Sequence, residues 1–279
     1  MPEASLYLVA TPIGNLDDIV PRAITALQTV DAIACEDTRH SAKLLKHYAI
    51  NKPLIAYHDH NEQDAAAYIL GKLQAGQSIA LISDAGTPAI ADPGYRLVRL
   101  AHQAGVRVVS IPGACAFVTA LAGSGLASDR FTFNGFLPAK QTARCAELTR
   151  VSGERATQIF YEAPHRLKDT VADMVEVLGG EREVCLAREL TKTFETLRHS
   201  TLSNLLAAID AGDVVEKGEI ALIVAGCLEA PRDDSEVDRV LSLLLAHELP
   251  VKQASSIAAE LTGLGKRELY QRALQLKDQ

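Results

Sequence analysis

Four short segments of the sequence combine acidic, small and proline residues directly after short apolar runs. They span residues 11–18 (TPIGNLDD), 36–39 (EDTR), 84–88 (DAGTP) and 112–116 (PGACA). Small residues let a ligand approach the backbone closely, and proline holds a loop open. In an open parallel sheet, ligands bind beyond the carboxyl ends of the strands. We therefore expect these segments to form a ligand site.

Each segment also has a structural interpretation, which the sequence leaves open. The Thr-Pro and Gly-Asn pairs of the first segment are ordinary turn chemistry, and the acidic motif from Glu36 to Arg39 could cap the next helix and pair internally. Cys115 lies in a run of small residues, where a packed thiol is commoner than a nucleophile. Asp84 is the strongest ligand candidate, because an acid directly after an almost wholly apolar strand must find a partner.

Several common kinds of site are missing from the sequence. The G-x-G-x-x-G of a dinucleotide fold and the G-x-x-x-x-G-K-[ST] of a P-loop do not occur, which argues against NAD enzymes, the common nucleoside-binding methyltransferase fold and P-loop NTPases. The five cysteines are scattered and never form C-x-x-C, so we expect no disulfide framework, no metal site and reduced thiols in a cytoplasmic protein. No signal peptide is expected, and no membrane span, because no apolar run approaches about eighteen residues.

The elements that must position these segments follow an α/β rhythm. Over residues 1–125, apolar runs alternate with amphipathic segments, which predicts a parallel sheet wrapped by helices. The helix predicted over residues 93–104 has the clearest boundaries, with Asp92 as its N-cap, Pro93 at its first position and Gly105 as its left-handed stop. The predicted strands span residues 6–10, 32–35, 53–57, 78–83 and 107–111, and the other predicted helices span 21–30, 41–48, 65–74 and 114–121.

A second α/β domain is expected after the glycine-rich segment at residues 123–125, which interrupts the regular pattern. A short connection at 189–192 between two predicted strands implies a hairpin, and therefore a mixed sheet. From residue 231 onward the sequence turns helical, and a glycine-bearing turn separates the last two helices in the manner of a helix-turn-helix. The predicted parts are a parallel-sheet domain (1–125), a mixed-sheet domain (126–230) and a helical extension (231–279).

The distribution of charge limits the class of partner. The chain of 279 residues has a formal net charge of −7, which argues against a protein that coats nucleic acid through bulk charge. The acidity is uneven, because residues 130–200 carry 11 basic and 10 acidic side chains whereas residues 1–129 carry 9 and 12. An RNA partner would therefore be bound locally, by a few basic side chains of the middle segment.

Six motifs, taken together, identify a family. In chain order they are residues 11–16 (TPIGNL), 36–39 (EDTR), 83–88 (SDAGTP), 135–138 (GFLP), 161–166 (YEAPHR) and 187–192 (ARELTK). This ordered set extends over essentially the whole chain. It resembles the tetrapyrrole-methylase superfamily, the class III methyltransferases, and within it the branch that modifies small-subunit ribosomal RNA. The resemblance implies two α/β domains with a cofactor cleft between them, a small C-terminal helical extension and a homodimer.

The function that the resemblance implies is methyl transfer from S-adenosylmethionine. The implied acceptor is the ribose 2′-hydroxyl of a cytidine in 16S rRNA, near the decoding centre of the small ribosomal subunit. Two other interpretations stay open: the same fold and cofactor acting on a small tetrapyrrole, and a non-catalytic nucleotide-binding or ribosome-associated module. The acidic motif and the helical extension argue against the tetrapyrrole, and transfer of a labelled methyl group would exclude the module.

The superfamily's cofactor contacts match positions in both predicted α/β domains. Two of them depart from the family pattern, because Glu162 and Leu190 stand where the family has a methionine and a glycine. We place the Asp84 carboxylate on the amino group or ribose of the cofactor, since a carboxylate aimed at the sulfur would stabilise the ground state more than the transition state. The matched positions are Pro12, Ser83, Asp84, Ala85, Thr87, Cys115, Ala116, Glu162, Leu190 and Glu219.

Methyl transfer to a hydroxyl requires alignment of the reactants and benefits from a proton acceptor. Glu36 and Asp37 both stay open as that acceptor, Arg39 is expected to hold an RNA phosphate, and Asn15 is expected to orient the hydroxyl. Further phosphate contacts are expected from basic residues of the middle segment, and RNA contact by the C-terminal helices is as compatible with the sequence as simple packing. The basic candidates are Lys140, Arg144, His165, Arg166, Lys168, Arg188 and Lys192.

Overall fold

Two β-sheets of five strands each organise the chain. The computed structural model describes residues 4–227, 234–247, 249–262 and 264–277. Both sheets belong to one unit, Met1–Cys227, and the described residues of the second unit, Leu228–Gln279, form helices. The predicted α/β class is confirmed, and no helix in the described ranges is long and apolar enough to cross a membrane.

The first sheet is parallel throughout, as predicted. Two of its three inner strands are buried along their whole length, because helices cover both of its faces. The strands are β1 (Ser5–Val9), β2 (Ala32–Cys35), β3 (Leu54–Ala56), β4 (Ile79–Ile82) and β5 (Arg107–Ile111), in the order β3-β2-β4-β1-β5. The covering helices are α1 (Pro21–Thr29), α2 (Thr38–His47), α3 (Glu62–Gln74) and α4 (Tyr95–Gln103).

The strand order identifies where this sheet opens a crevice. The chain leaves β1 toward β2 on one side of the sheet and leaves β4 toward β5 on the other. The switch point therefore lies between the neighbouring strands β1 and β4, where ligands bind in open α/β sheets. The first and third segments singled out in the sequence follow these two strands directly.

The helix α4 begins later than the sequence predicted. It starts at Tyr95, its N-cap is Gly94 with φ +150°, and no side chain caps it, so the capping role predicted for Asp92 is wrong. The reason is the loop before it, in which Ala89 and Ala91 adopt φ of +66° and +58° and turn the chain before the helix starts. Gly105 is in the left-handed region with φ +70°, as predicted for the stop.

The second sheet is mixed, as the short 189–192 connection implied. Its strands are β6 (Phe131–Phe136), β7 (Thr157–Glu162), β8 (Glu183–Arg188), β9 (Thr196–Thr201) and β10 (Ile220–Val224), in the order β6-β7-β10-β8-β9. The β6–β7 pair is parallel, whereas the β7–β10, β10–β8 and β8–β9 pairs are antiparallel. The strands β8 and β9 form the predicted hairpin.

The two faces of the second sheet are covered differently. Three helices, α6 (Gln141–Val151), α7 (Leu167–Leu178) and α8 (Leu202–Asp210), pack on one face around the largest apolar core. The other face packs against α5 (Ala116–Ser124), the helix that follows the first sheet. Helix α5 therefore joins the two sheets into one body, and its loop carries Cys115 to the boundary between them.

The second unit is described by itself. It contains α9 (Asp234–Ala246), α10 (Val251–Thr262) and α11 (Lys266–Lys277), which pack around Leu241, Ala258 and Leu269. The guanidinium of Arg272 on α11 pairs with the Asp238 carboxylate on α9 at 2.5 Å. The predicted succession of two helices is present, and residue 263 of the connecting turn lies outside the described residues.

Candidate active site

The loops after β1 and β4 are tied together at the switch point. Thr11 and Gly86 exchange two backbone hydrogen bonds, of 2.9 and 3.0 Å. The Thr11 hydroxyl donates to the Ser83 carbonyl at 3.1 Å, and the Ser83 hydroxyl donates to the Gly86 carbonyl at 2.9 Å. Gly86 has φ +85°, a conformation that other residues adopt only with strain. The loop geometry thus requires a glycine at this position of the DAGTP segment.

The other two segments join the same edge of the sheet. The Thr87 hydroxyl donates to the Ala114 carbonyl at 2.9 Å, which links the loops after β4 and β5. The Asp37 N–H donates to the Asp84 carboxylate at 3.2 Å, which links the loops after β2 and β4. The four segments that the sequence singled out therefore meet, as expected from the ends of parallel strands.

The second sheet approaches this edge closely. A Cβ added at Gly14 would lie 2.5 Å from Lys192 Cγ and 2.8 Å from Thr191 Oγ1, so the first loop lies directly against the β8–β9 hairpin. The Phe117 N–H at the start of α5 donates to the Tyr161 hydroxyl at 3.0 Å. These contacts enclose a space between the two sheets.

A cavity of about 320 Å³ occupies that space. This volume lies at the small end of the range for ligand pockets. Both sheets contribute to its walls, and most of the side chains that face it are apolar or small. From the first sheet it is lined by, among others, Ile13, Gly86, Thr87, Ile90, Asp92 and Cys115. From the second it is lined by, among others, Phe136, Tyr161, Pro164, Leu190 and Glu219.

Most of the positions matched to cofactor contacts line this cavity. Those that do are Ala85, Thr87, Cys115, Ala116, Glu162, Leu190 and Glu219. Three others support the wall without lining it. Pro12 and Ser83 are buried beside the Thr11–Gly86 link, and the Asp84 carboxylate is bonded to the backbone of Asp37. The geometry therefore gives Asp84 a contact that braces the loops, and its contact with the cofactor stays a prediction.

Glu162 shows how the departure from the family pattern is accommodated. Its carboxylate is buried and accepts hydrogen bonds from the Thr170 hydroxyl at 2.5 Å and the Ala163 N–H at 2.7 Å. The Arg166 guanidinium lies 3.3 Å from the same carboxylate. These partners occupy both oxygens, so the carboxylate is held within the wall of the cavity.

Asp92 is the cavity carboxylate with the most unusual environment. Burial is the largest cause that raises its pKa, followed by the nearby charge of Glu36, and the pKa reaches about 6. None of the ion pairs among the described residues includes Asp92, whereas Glu219 is paired with Lys192 at 3.0 Å and is mostly exposed. The sequence does mark Asp92 through the Asp-Pro pair, but that pair predicts the start of a helix and not a cavity residue.

The candidates for catalysis lie on the same edge of the sheet but outside the cavity lining. Asn15 accepts a hydrogen bond from the Asp17 N–H at 3.1 Å and caps a short helical turn. Asp37 caps α2 through the Arg39 and His40 N–H groups, at 2.7 and 3.2 Å. These contacts match the structural alternative that the sequence left open.

Glu36 is half-buried beside the other acids of this edge. Burial raises its pKa most, and the charges of Asp84 and Asp59 raise it further. Through its own charge Glu36 raises the pKa of Asp92. Its position therefore lets it act on the cavity through Asp92, without lining the cavity itself.

One of the predicted RNA contacts is contradicted by the structure. Arg144 is buried in the core of the second sheet, where its Nε lies 2.5 Å from the Asp173 carboxylate and its Nη1 donates to the Ala139 carbonyl. A guanidinium in this position is not available to a phosphate. The prediction failed because a basic residue on the inner face of an amphipathic helix looks, in sequence, like one on the outer face.

The remaining basic candidates divide by their contacts. Arg166 donates to the Leu137 and Pro138 carbonyls, and Arg188 donates to the Lys217 and Phe194 carbonyls, so both hold the backbone. Of the other four, Lys140, His165 and Lys168 are exposed and Lys192 is partly exposed. Lys168 pairs with Asp210, and Lys192 pairs with both Glu189 and Glu219.

No group of three or more His, Cys, Asp or Glu side chains among the described residues is arranged to hold a metal ion. Tyr161, which sequence reasoning missed, faces the cavity, and burial raises the pKa of its hydroxyl above the usual value. The hydroxyl is therefore neutral and serves as a hydrogen-bonding group. Asp92 is left as the cavity side chain best suited to exchange a proton near neutral pH.

Comparison with known proteins places the chain in a family. A family model described as tetrapyrrole (corrin/porphyrin) methylases matches residues 5–206, and one described as the RsmI C-terminal HTH domain matches residues 231–277. The solved structure of uroporphyrin-III C-methyltransferase from Thermus thermophilus with S-adenosyl homocysteine has a TM-score of 0.54, 16% identity, and covers 80% of this chain and 97% of its own. That likeness shows the fold.

Two curated proteins align with nearly the full chain. A protein of Pseudomonas aeruginosa is 52% identical over 279 residues, covering 99% of this chain and 98% of its own. A protein of Pasteurella multocida is 53% identical over 271 residues, covering 97% and 96%. The chain therefore belongs to the tetrapyrrole (corrin/porphyrin) methylase family, in the group whose curated members are named ribosomal RNA small subunit methyltransferase I.

Proposed function

We propose that the protein transfers a methyl group from S-adenosylmethionine to the ribose 2′-hydroxyl of a cytidine in 16S rRNA, near the decoding centre of the small ribosomal subunit. The observation that carries this proposal is the cavity between the two sheets, which is lined by three of the four loops of the sequence motifs, by residues of the second sheet and by Asp92. The choice of ribosomal RNA as substrate is supported by the two curated proteins named ribosomal RNA small subunit methyltransferase I, which are 52% and 53% identical to the chain over nearly its full length. The cytoplasm, where small subunits are assembled, is the corresponding location.

The cavity fits a nucleoside-containing cofactor. A glycine from each side lines it, Gly86 and Gly218; both have φ +85°, and a Cβ added at Gly218 would collide with the Glu189 side chain, so neither position readily accepts a larger residue. The backbone of the Ala85–Thr87 loop and the mouth near Glu219 provide polar groups around an otherwise apolar space. When bound there, S-adenosylmethionine supplies an activated methyl group.

Asp92 is the group to which we assign proton transfer. The attacking ribose hydroxyl is a weak nucleophile, and a positioned acceptor typically contributes about 10²–10⁴-fold in rate. A pKa of about 6 leaves Asp92 mostly ionised at neutral pH while keeping it a stronger base than an ordinary carboxylate. Alignment in a cavity that excludes water supplies the rest of the acceleration.

The RNA would approach the mouth of this cavity along the second sheet. Lys140, His165 and Lys168 are exposed and Lys192 is partly exposed, and these four remain the candidates for phosphate contacts. Arg166 and Arg188 support this surface by fixing loops through carbonyl contacts. Contact between the RNA and the C-terminal helices stays a prediction.

The test of the function is transfer of a labelled methyl group. Small ribosomal subunits that lack the modification are incubated with the protein and labelled S-adenosylmethionine, and the modified nucleotide is then mapped by nuclease digestion. We expect incorporation at the 2′-oxygen of a single cytidine. Incorporation into a tetrapyrrole but not into the subunits would favour the small-molecule alternative, and no incorporation would favour a non-catalytic module.

The proposal includes a homodimer, which α5 supports. This helix is apolar nearly all round, and such a helix is normally buried on all sides. One side packs into the core through Ala120 and Leu121, but Val118 on the other side is 49% exposed, and Thr119 and Ala122 beside it are exposed too. A second copy of the chain would bury this face.

We expect Val118→Glu to convert the dimer into a monomer, because a charge buried in an apolar interface has no partner there. Sedimentation velocity at a fixed protein concentration measures the change. Tyr68→Glu on α3 serves as the matched control, since Tyr68 is 57% exposed on another surface and should leave the dimer intact. A parent protein that is monomeric, or a Val118→Glu protein that stays dimeric, would contradict this interface.

A further inference from the structure

Phe136 presents an aromatic ring to solvent at the edge of the cavity. Its side chain lines the cavity, yet the residue is 58% exposed. The ring meets Tyr161 edge to face, with 5.6 Å between ring centroids and 61° between ring planes. This leaves much of the Phe136 ring uncovered beside the site of chemistry, although burying such a ring would be favourable.

A β-bulge directs this ring to the cavity. In the pairing of β6 with β7, Phe133 lies opposite Ile159 and Phe136 lies opposite Tyr161, so three steps on β6 match two on β7. The bulge lies between these two residues and contains Gly135, whose φ is +63°. In a regular strand the side chains of residues 133 and 136 would point to opposite faces, but here both rings contact Tyr161.

The segment after the bulge is held rigidly. Leu137 is 3% exposed and anchors the chain in the core of the second sheet. The Arg166 guanidinium donates to the Leu137 carbonyl at 2.7 Å and to the Pro138 carbonyl at 3.1 Å, and Glu162 in turn pairs with Arg166. The exposed ring of Phe136 is thus pre-positioned by its neighbours, which is typical of a group that binds a ligand.

We propose that Phe136 stacks on the base of the target nucleotide and so positions its ribose over the cavity. This inference rests on the proposed function. Aromatic side chains stack on unpaired RNA bases, and the contact favours a planar base of any identity. Methylation of the ribose leaves the base free for such a contact.

The position of the ring favours the target base over the adenine of the cofactor. A cavity of about 320 Å³ is filled by one small molecule, so the acceptor nucleotide must lie at its mouth. Phe136 is at that mouth, because more than half of the residue is accessible to solvent while Tyr161 beside it is largely buried. Contact with the cofactor's adenine becomes the competing outcome of the test.

The experiment compares four variants with the parent protein: Phe136→Ala, Phe136→Leu, Phe136→Trp and, as the control, Phe131→Ala. Phe131 is an exposed phenylalanine on the same strand that does not line the cavity. The measurements are kcat/KM for methyl transfer to unmodified small subunits and the Kd for S-adenosylmethionine by calorimetry. We expect Phe136→Ala to lower kcat/KM by about 10- to 100-fold, from the usual contribution of stacking, with the cofactor Kd little changed.

The conservative variants separate stacking from simple packing. Phe136→Trp keeps a π-face and should restore most of the activity, whereas Phe136→Leu keeps apolar volume without a π-face and should resemble Phe136→Ala. Phe131→Ala should behave like the parent.

Three results would overturn the inference. A cofactor Kd weakened as much as kcat/KM would assign Phe136 to the adenine, and a fully active Phe136→Leu would reduce its role to packing. Equal activity of Phe136→Ala and Phe131→Ala would leave no special role for the ring. Inactivity of the parent protein on small subunits is a different outcome, because it rejects the proposed function and the inference falls with it.

Discussion

Asp92→Asn is expected to lower the single-turnover rate of methyl transfer by about 10²–10⁴-fold, the usual contribution of a positioned proton acceptor. Asparagine keeps the size of the side chain and its hydrogen-bonding oxygen, but it cannot take the proton from the ribose hydroxyl. Because Asp92 is assigned to the acceptor hydroxyl and not to the cofactor, the cofactor Kd should change much less than the rate. Rapid quenching with labelled cofactor measures the rate, and calorimetry measures the Kd.

The pH dependence of the same rate provides an independent check. The raised pKa means that Asp92 holds its proton up to a pH of about 6, and only the deprotonated form can act as the acceptor. The rate of the parent should therefore fall about tenfold per pH unit below pH 6 and level off above it. In Asp92→Asn this inflection should be absent. A variant that keeps both the parental rate and the inflection would remove Asp92 from the chemistry.

Glu36→Gln discriminates between the acceptor expected from the sequence and the one favoured by the structure. If Glu36 were the acceptor, the rate would fall as far as in Asp92→Asn. If Glu36 acts through its charge, its removal lowers the pKa of Asp92, since Glu36 is the main neighbouring charge that raises it. The inflection of the pH–rate profile should then move to lower pH while methyl transfer continues.

The sequence predicted the first sheet well because its signals are local. The strands β2 and β5 begin and end where the apolar runs do, and the four loops meet because parallel strands end at one edge. The loop before α4 was missed for a physical reason: its course depends on positive φ at Ala89 and Ala91, residues that show no preference for that conformation. The proton-accepting position of Asp92 follows from those two dihedral angles.

Phe136 and α6 were missed for reasons of the same kind. The alternation of apolar and polar residues does not reveal a bulge, so nothing in the sequence indicates that Phe133 and Phe136 share a face. The pattern of α6 was hidden because Arg144 occupies one of its core positions, beside Leu148 and Val151. Long-range pairing decides both cases, since the partner of Arg144 is on another helix, 29 residues away.

Arg144→Leu is expected to destabilise the protein by about 3–5 kcal/mol, the usual cost of breaking a buried ion pair by removing one partner. The reason is that the Asp173 carboxylate stays in the core, where the remaining donors, the Gln141 amide at 2.8 Å and the Cys145 thiol, carry no charge to balance it. Asp173→Leu should be destabilising for the converse reason, because it leaves the guanidinium buried. Unfolding by urea, followed by circular dichroism, measures the free energy of unfolding for each variant.

The double variant Arg144→Leu with Asp173→Leu tests the explanation. It leaves no unpaired charge, so it should be more stable than either single variant, as is found when buried pairs are replaced by apolar residues. Lys168→Ala breaks the exposed contact with Asp210 and should cost much less, because solvent screens that pair. If Arg144 instead served RNA, Arg144→Leu would weaken binding to the small subunit and leave the free energy of unfolding unchanged. Because the guanidinium faces the core of the second sheet, we expect the opposite result. The free energy of unfolding should fall, and the folded fraction of the variant should bind the small subunit as tightly as the parent does.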